Sequence, residues 1–379
     1  MNLARLGDHA KFLSGFAFKS TFFNDEGSGL HVVRIRDVVR GHSETFYSGE
    51  YDDRYLVSNG DYLIGMDGEF NLARWQSESA LLNQRVCKID SLSEDVDREY
   101  LGRFLPIALK EIENATPFAT VKHLSVKALN DIQIPLPPLA EQKRIAGVLD
   151  AADALRAKRR ESLAQLDALL QSTFLDMFGD PVTNPMGWEQ CMLGDVVHSA
   201  KDGPHVSPVY SEDGIPFLST RHIRPGEVIW EDLRYIDEEE AKRQWKKCKP
   251  VCGDILYTKG GTTGLAARVT TSKPFAVWVH IALLKLVTEK VHPIWIEAML
   301  NSAYCYAQSQ RYTHGIANRD LGLKRMVKIQ IYLPPMDEQQ HFANVVESIE
   351  QQKASHRAHL AELDTLFASL QSRAFRGDL

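Results

Sequence analysis

At 379 residues the chain is too long for one ordinary domain and suits two, each large enough to bury an apolar core. Hydrophobic residues make up 44% and charged residues 25%, proportions that exclude disordered and fibrous classes. The formal net charge of −6 decides nothing about nucleic acid, because phosphate binding rests on locally clustered Lys and Arg and leaves other faces free to be acidic.

In chain order, Asp8, His9 and Lys11 stand where a secretory signal needs an apolar run, so a cytoplasmic location is expected. Short β-rich runs follow at 31–36 and 62–65, then a helix at 98–113. The double proline 137–138 forbids helix before it and suits the first turn of the helix after it. Strand-like runs return at 255–257 and 276–284, a helix at 294–311 and a second double proline at 334–335. Gly, Asp and Asn punctuate the strands, so a mixed α/β (α+β) fold dominated by strands is predicted for the parts outside the Pro-Pro segments. The longest apolar stretch, 274–287, is broken by His280 and Lys285 and falls short of the roughly 20 residues a membrane span needs, so no membrane partner is expected. The cysteines Cys87, Cys191, Cys248, Cys252 and Cys305 are scattered, and the Cys248/Cys252 spacing lacks a second ligand pair. Neither a disulfide framework nor a metal is expected.

The chain is written twice. The segment IQIPLPPLAEQ at 132–142 recurs as IQIYLPPMDEQ at 329–339, and LAQLDAL at 163–169 recurs as LAELDTL at 360–366 with the same offset. Upstream, Leu6-Gly7-Asp8 is echoed by Leu193-Gly194-Asp195, and 59–64 by 252–257, at smaller offsets. Each half is thus a variable globular part followed by a strictly spaced segment, with divisions at 1–135, 136–180, 181–332 and 333–379. In the first spaced segment apolar residues recur at Ile145, Val148, Leu149, Ala152, Leu155, Leu163, Leu166, Leu170 and Met177. In the second they recur at Phe342, Val345, Val346, Ile349, Leu360, Leu363, Phe367 and Leu370, with a polar middle at Gln352 and His356. This is the spacing of a coiled-coil seam. A helix of about 40 residues reaches roughly 60 Å, far beyond the domain before it, and needs a partner along its length. Intact domains separate the two copies, so two long antiparallel helices acting as a spacer are predicted.

No catalytic motif of the common classes is complete in the sequence. The glycine-rich stretch 259–264 lacks the Gly-Lys-Ser/Thr ending of a phosphate loop. Asn318-Arg319-Asp320-Leu321 has no second kinase element beside it. There is no glycine-rich methyltransferase loop and no Asn/Asp-Pro-Pro-aromatic motif, and Asp67 with Glu69 reads as a solvated loop rather than a nuclease centre. The chain is therefore not expected to be an enzyme. Nucleic-acid contact suits the loops better, since Arg can pair guanine bidentately, Asn or Gln adenine, and Lys can hold phosphate. In the first half the candidates are Lys19, Arg34, Arg36, Met66, Asp67, Glu69, Asn71, Arg74, Asn83, Gln84, Lys122 and His123. In the second they are Lys201, His205, Thr220, Arg221, His222, Lys259, Thr262, Thr263, His280, Asn318 and Arg319.

The doubled Leu-Pro-Pro-x-x-Glu-Gln before a long helix, at 136–142 and 333–339, each preceded by a Gly-Asp-hydrophobic strand, resembles the specificity subunits of Type I restriction-modification systems. The segment 65–71 (GMDGEFN) adds to the likeness, which covers essentially the whole chain. The resemblance implies two target-recognition domains, each reading one half of a split double-stranded DNA sequence, and conserved helices that set the half-site distance and dock two methyltransferase subunits. It implies no cofactor here: S-adenosylmethionine belongs to those partners, and separate motor-nuclease subunits cut. Tyr332 stands where the first copy has Pro135, a departure between the two copies. A two-headed coiled-coil scaffold without DNA binding, and a DNA-modifying enzyme in its own right, are the alternatives.

Overall fold

Each Pro-Pro segment closes a short strand ladder and starts a long helix. The computed structural model describes residues 2–116, 122–315 and 319–379. It places Leu3–Arg5 antiparallel to Gln133–Pro135, and Glu189–Met192 antiparallel to Gln330–Leu333. From these ladders run the helices Leu139–Phe178 and Met336–Arg376. By contact the chain divides into one unit of Met1–Arg160 with Ala358–Leu379 and another of Glu161–Arg357, so each unit holds part of both helices.

Both units repeat one plan. In the first, an antiparallel sheet orders its strands Ala10–Ser14, Val86–Leu92, Tyr62–Gly65, Leu72–Arg74. In the second the order is Val197–Asp202, Ile281–Leu286, Ile255–Thr258, Ala266–Arg268. Successive side chains on a strand face opposite ways, and the central strand uses both faces: Ile64 joins the core against the helices while Leu63 joins a second core with Val33 and Trp75. Tyr257 and Leu256 divide in the same manner. The second sheet of each unit carries one parallel pair, Leu30–Val33 with Ala80–Leu82, and Ile215–Leu218 with Ala276–Val277.

Three predicted elements come out differently. The strand predicted over 31–36 ends at Val33, because Asp37 accepts the backbone N–H of Arg34 at 2.9 Å and starts the helix Ile35–Arg40, which Gly41 ends at φ +73°. The run 276–284 is two strands, 276–277 and 281–286, since the chain leaves one sheet for the other at 278–280. The helix predicted over 294–311 splits into Pro293–Leu300 and Ala303–Tyr312. Asn301 turns its amide onto the backbone of Ala266 (2.9 and 3.0 Å), and Ser302 caps Cys305 N–H.

The glutamine ending each Pro-Pro motif is fully buried. Gln142 accepts the N–H of Asp97 at 2.8 Å and donates to the carbonyls of Asp95 (2.7 Å) and Pro137 (2.8 Å). Gln339 accepts the N–H of His292 at 2.8 Å and donates to Lys290 (3.2 Å) and Pro334 (2.8 Å). Asp97 and His292 are the N-caps of Arg98–Ala115 and Pro293–Leu300, so each glutamine ties the root of a long helix to the root of its domain's packing helix.

Within each unit the long helices pair antiparallel. In the first, Ile145 and Leu149 share a core with Ala374, Phe367 and Leu370, and Arg156 pairs with Asp364 at 2.6 Å while lying over the Phe367 ring at 4.4 Å. In the second, Phe174 and Phe178 pack edge-on against Phe342, and buried Lys353 pairs with Asp167 (2.8 Å) and Glu350 (2.6 Å). The seam is apolar at its roots and charged further along. Ile145, Leu149 and Phe342 are buried; Leu163, Leu166, Leu170, Val346, Leu360, Leu363 and Phe367 are half-buried, and Leu155 is exposed. Among the described residues no helix is long and apolar enough to cross a membrane.

Replacing a clamp amide with an apolar side chain strands one buried N–H and two carbonyls. Gln142→Leu or Gln339→Leu is expected to cost about 3 kcal/mol, a fall in melting temperature of roughly 10 °C by calorimetry. A shift under a degree would show that the clamp is dispensable.

Candidate nucleic-acid interface

In the first domain the turn after strand Tyr62–Gly65 is held from two sides by backbone bonds. Met66 N–H donates to Arg85 O (2.9 Å), Gly68 N–H to Lys122 O (2.9 Å) and Leu124 N–H to Met66 O (2.7 Å). In the second domain the turn after Ile255–Thr258 repeats all three: Lys259 N–H to His280 O (2.8 Å), Gly261 N–H to Arg319 O (2.9 Å) and Leu321 N–H to Lys259 O (2.8 Å). Gly68 (φ +74°) and Gly261 (φ +69°) take the left-handed bend that glycine adopts without steric cost. The turns 66–71 and 259–264, the loops 122–124 and 319–321, and Arg85 and His280 are therefore structural counterparts.

On this common frame the side chains differ. Asp67 accepts from His123 Nδ1 at 2.7 Å and pairs with Arg85 at 3.3 Å, so it is an engaged carboxylate and not the solvated loop residue expected. Glu69 is exposed and Asn71 half-buried. At the counterpart of Asp67 stands Gly260, where an added Cβ would lie 2.4 Å from the His280 ring. Lys259 is buried between Asp202 (3.4 Å) and Asp320 (3.3 Å), and Asp202 also meets Lys247 at 2.5 Å and His205 at 3.4 Å. Thr263 bonds Thr313 at 3.0 Å, and Arg319 bonds Gln310. Burial pushes the Asp202 carboxyl up, but the Lys247 hydrogen bond and the charges of Lys247, Lys259 and His205 outweigh it and hold it below its ordinary value.

A second pair of counterparts follows the parallel strands. Arg34 N–H bonds Asp37 and Ser219 N–H bonds His222 Nδ1, each at 2.9 Å, which puts Arg36 and Arg221 at the same exposed turn position. Burial lowers the pKa of His222, whose Nδ1 accepts the Ser219 N–H. Arg34 itself bonds Thr45, and Thr220 is half-buried.

Five candidates, Met66, Asn83, His222, Lys259 and Thr263, have buried side chains and support the loops from inside instead of facing solvent. Arg74 is engaged by Glu99 and lies 4.8 Å from the Tyr62 ring centroid, on the side of helix Arg98–Ala115. Lys19, Gln84, Lys201, His205, Thr262 and His280 are exposed, and Lys122 is half-buried with its ammonium on Glu113 O. Asn318 lies outside the described residues. Sequence reasoning passed over Arg85, Asp202 and Asp320. The first directly follows the chosen Asn83 and Gln84, and the last directly follows the chosen Asn318 and Arg319.

A family model described as "Type I restriction modification DNA specificity domain" matches the chain twice, at residues 2–166 and 185–365. The chain belongs to this family. The specificity subunit of the type I restriction enzyme EcoBI from Escherichia coli is 32% identical over 98% of this chain and 84% of its own length. That of MjaVIII from Methanocaldococcus jannaschii is 21% identical over 92% and 85%. In fold, the type I restriction-modification S subunit from M. genitalium aligns at a TM-score of 0.57 with 14% identity, covering 99% of this chain and 96% of that one. The two strand-rich domains and long helices of this type I specificity chain thus follow its family's architecture.

Linkage gives a test of the Asp202 cluster. A depressed carboxylate contributes stability that is present above its ordinary value of 3.8 and is lost as pH falls below that through the folded value. Asp202→Asn is expected to lower the urea midpoint at pH 7, with the gap to the parent narrowing below pH 3.8. A gap unchanged with pH would mean that the carboxylate charge contributes nothing.

Proposed function

We propose that the chain is the DNA-reading subunit of a type I restriction-modification complex, each domain reading one half of a bipartite target in cytoplasmic DNA. The observation that carries this is the pair of equivalent turns, set on one backbone frame and furnished with different side chains. One frame with variable tips is what two readers of unlike half-sites require, since base edges are distinguished by the donors and acceptors offered to them. Arg36 and Arg221, exposed at matched positions, suit phosphate contact, which positions a reader without specifying sequence.

The long helices set the distance between half-sites and dock two methyltransferase subunits. A groove of about 1090 Å³ in the second unit, lined in part by Phe174, Ile294, Phe342, Val346 and Glu297, supports docking on this helix pair. Those partners bring S-adenosylmethionine and methylate adenine, and motor-nuclease subunits join through the assembled complex.

The test is to map methylated adenines in cells expressing this chain with its methyltransferase subunit, and in cells lacking this chain alone. A split motif that disappears with the chain is expected. Unchanged methylation, despite a verified complex, would refute the reading and favour a protein scaffold.

A further inference from the structure

Arg85 stands out among the exposed side chains of the first frame. It occupies a central position of the turn closed by Val86 N–H to Asn83 O at 3.2 Å, and its φ is +75°, a conformation that glycine takes freely and a side chain resists. Its backbone carbonyl accepts Met66 N–H, so this strained residue is bonded directly to the start of the turn 66–71. The Arg85 side chain is 56% exposed, and Asp67, itself fixed by His123 at 2.7 Å, holds one side of its guanidinium at 3.3 Å. An exposed pair of this kind adds little stability, on the order of 0–1 kcal/mol, so stability gives no reason to keep a side chain at a glycine position. Aiming a planar donor fork outward gives one.

The second domain supplies the contrast. Its counterpart of Arg85 is His280, at the same turn position before strand Ile281–Leu286, and the counterpart of Asp67 is Gly260. These two changes are sterically linked, because a Cβ at 260 would lie 2.4 Å from the His280 ring. The orienting carboxylate and the oriented guanidinium are therefore both absent there, and an imidazole cannot form a two-pronged bond with one base.

We propose, resting on the DNA-reading role above, that Arg85 is a specificity-determining residue that reads a guanine in one half-site through its O6 and N7, and that Asp67 is the positioning residue that aims it. His280 reads a different base in the other half-site. The Arg-to-guanine fork is the geometry that matches a planar guanidinium held from one side.

The experiment is adenine-methylation mapping in cells carrying the full complex with Arg85→Gly, Asp67→Asn or His280→Ala, alongside thermal melting of each complex. Arg85→Gly is expected to keep or raise the melting temperature, because glycine relieves the positive φ. It should also cut discrimination at one guanine of one half-site by about ten-fold or more, leaving the other half-site and the spacing intact. Asp67→Asn relaxes the same position to a smaller degree, and His280→Ala acts only on the other half. A fully retained motif in Arg85→Gly, or a uniform loss of methylation with unchanged base preference, overturns the assignment: the first makes the ion pair structural, the second makes Arg85 a phosphate contact. If the parent chain directs no split motif at all, the DNA-reading role itself fails, which separates the two failures.

Discussion

Everything in this molecule hangs on two buried amides. A glutamine side chain offers two donors and an oxygen with two lone pairs in one fixed plane, and Gln142 and Gln339 each use both donors and accept one bond to fasten a helix of 40 or 41 residues at its first turn. A lever of that length magnifies any error at its root. The preceding prolines stiffen the approach and provide one of the carbonyls each amide binds, so the whole Leu-Pro-Pro-x-x-Glu-Gln motif is one mechanical joint.

From the joint outward the structure separates what must stay constant from what is free to vary. The central strand of each antiparallel sheet is buried on both faces and divides two cores, one shared with the helices and one shared with the second sheet. Substitutions at the exposed tip positions Glu69 and Thr262 change neither core. The frame at those tips is made from backbone donors and acceptors, which are indifferent to side-chain identity apart from the glycines that set the bend. Two glycines, Gly68 and Gly261, and three repeated backbone bonds are enough to present Asp67 and Glu69 in one domain and Gly260 and Thr262 in the other.

The long-period repeat was legible because it lies in the segments where spacing matters mechanically, and the mixed fold class followed from strand-sized apolar runs between turn residues. Local periodicity failed where a polar side chain overrides it: Asp37 turns an apparent strand into a helix, and Asn301 with Ser302 breaks an apparent helix in two. The seam was readable at its apolar roots. Further along, Arg156, Asp364, Asp167 and Lys353 carry the pairing by charge, which a hydrophobic pattern does not register. In the candidate interface, residue type alone could not separate an exposed lysine from one buried between two carboxylates such as Lys259, nor find Arg85, whose interest lies in a backbone angle.

The first unit is closed by residues 358–379, which lie beyond the whole of the second unit in the chain. Ribosomes build a protein from its N-terminus, and domains ordinarily fold as they emerge. Here the apolar surface around Ile145, Leu149 and Phe104 is covered by Ala374 and Phe375, so it waits uncovered while the ribosome adds the residues between. The first unit to be synthesised is thus the last to be finished, and its completion reports that the second unit and its trailing helix have been made.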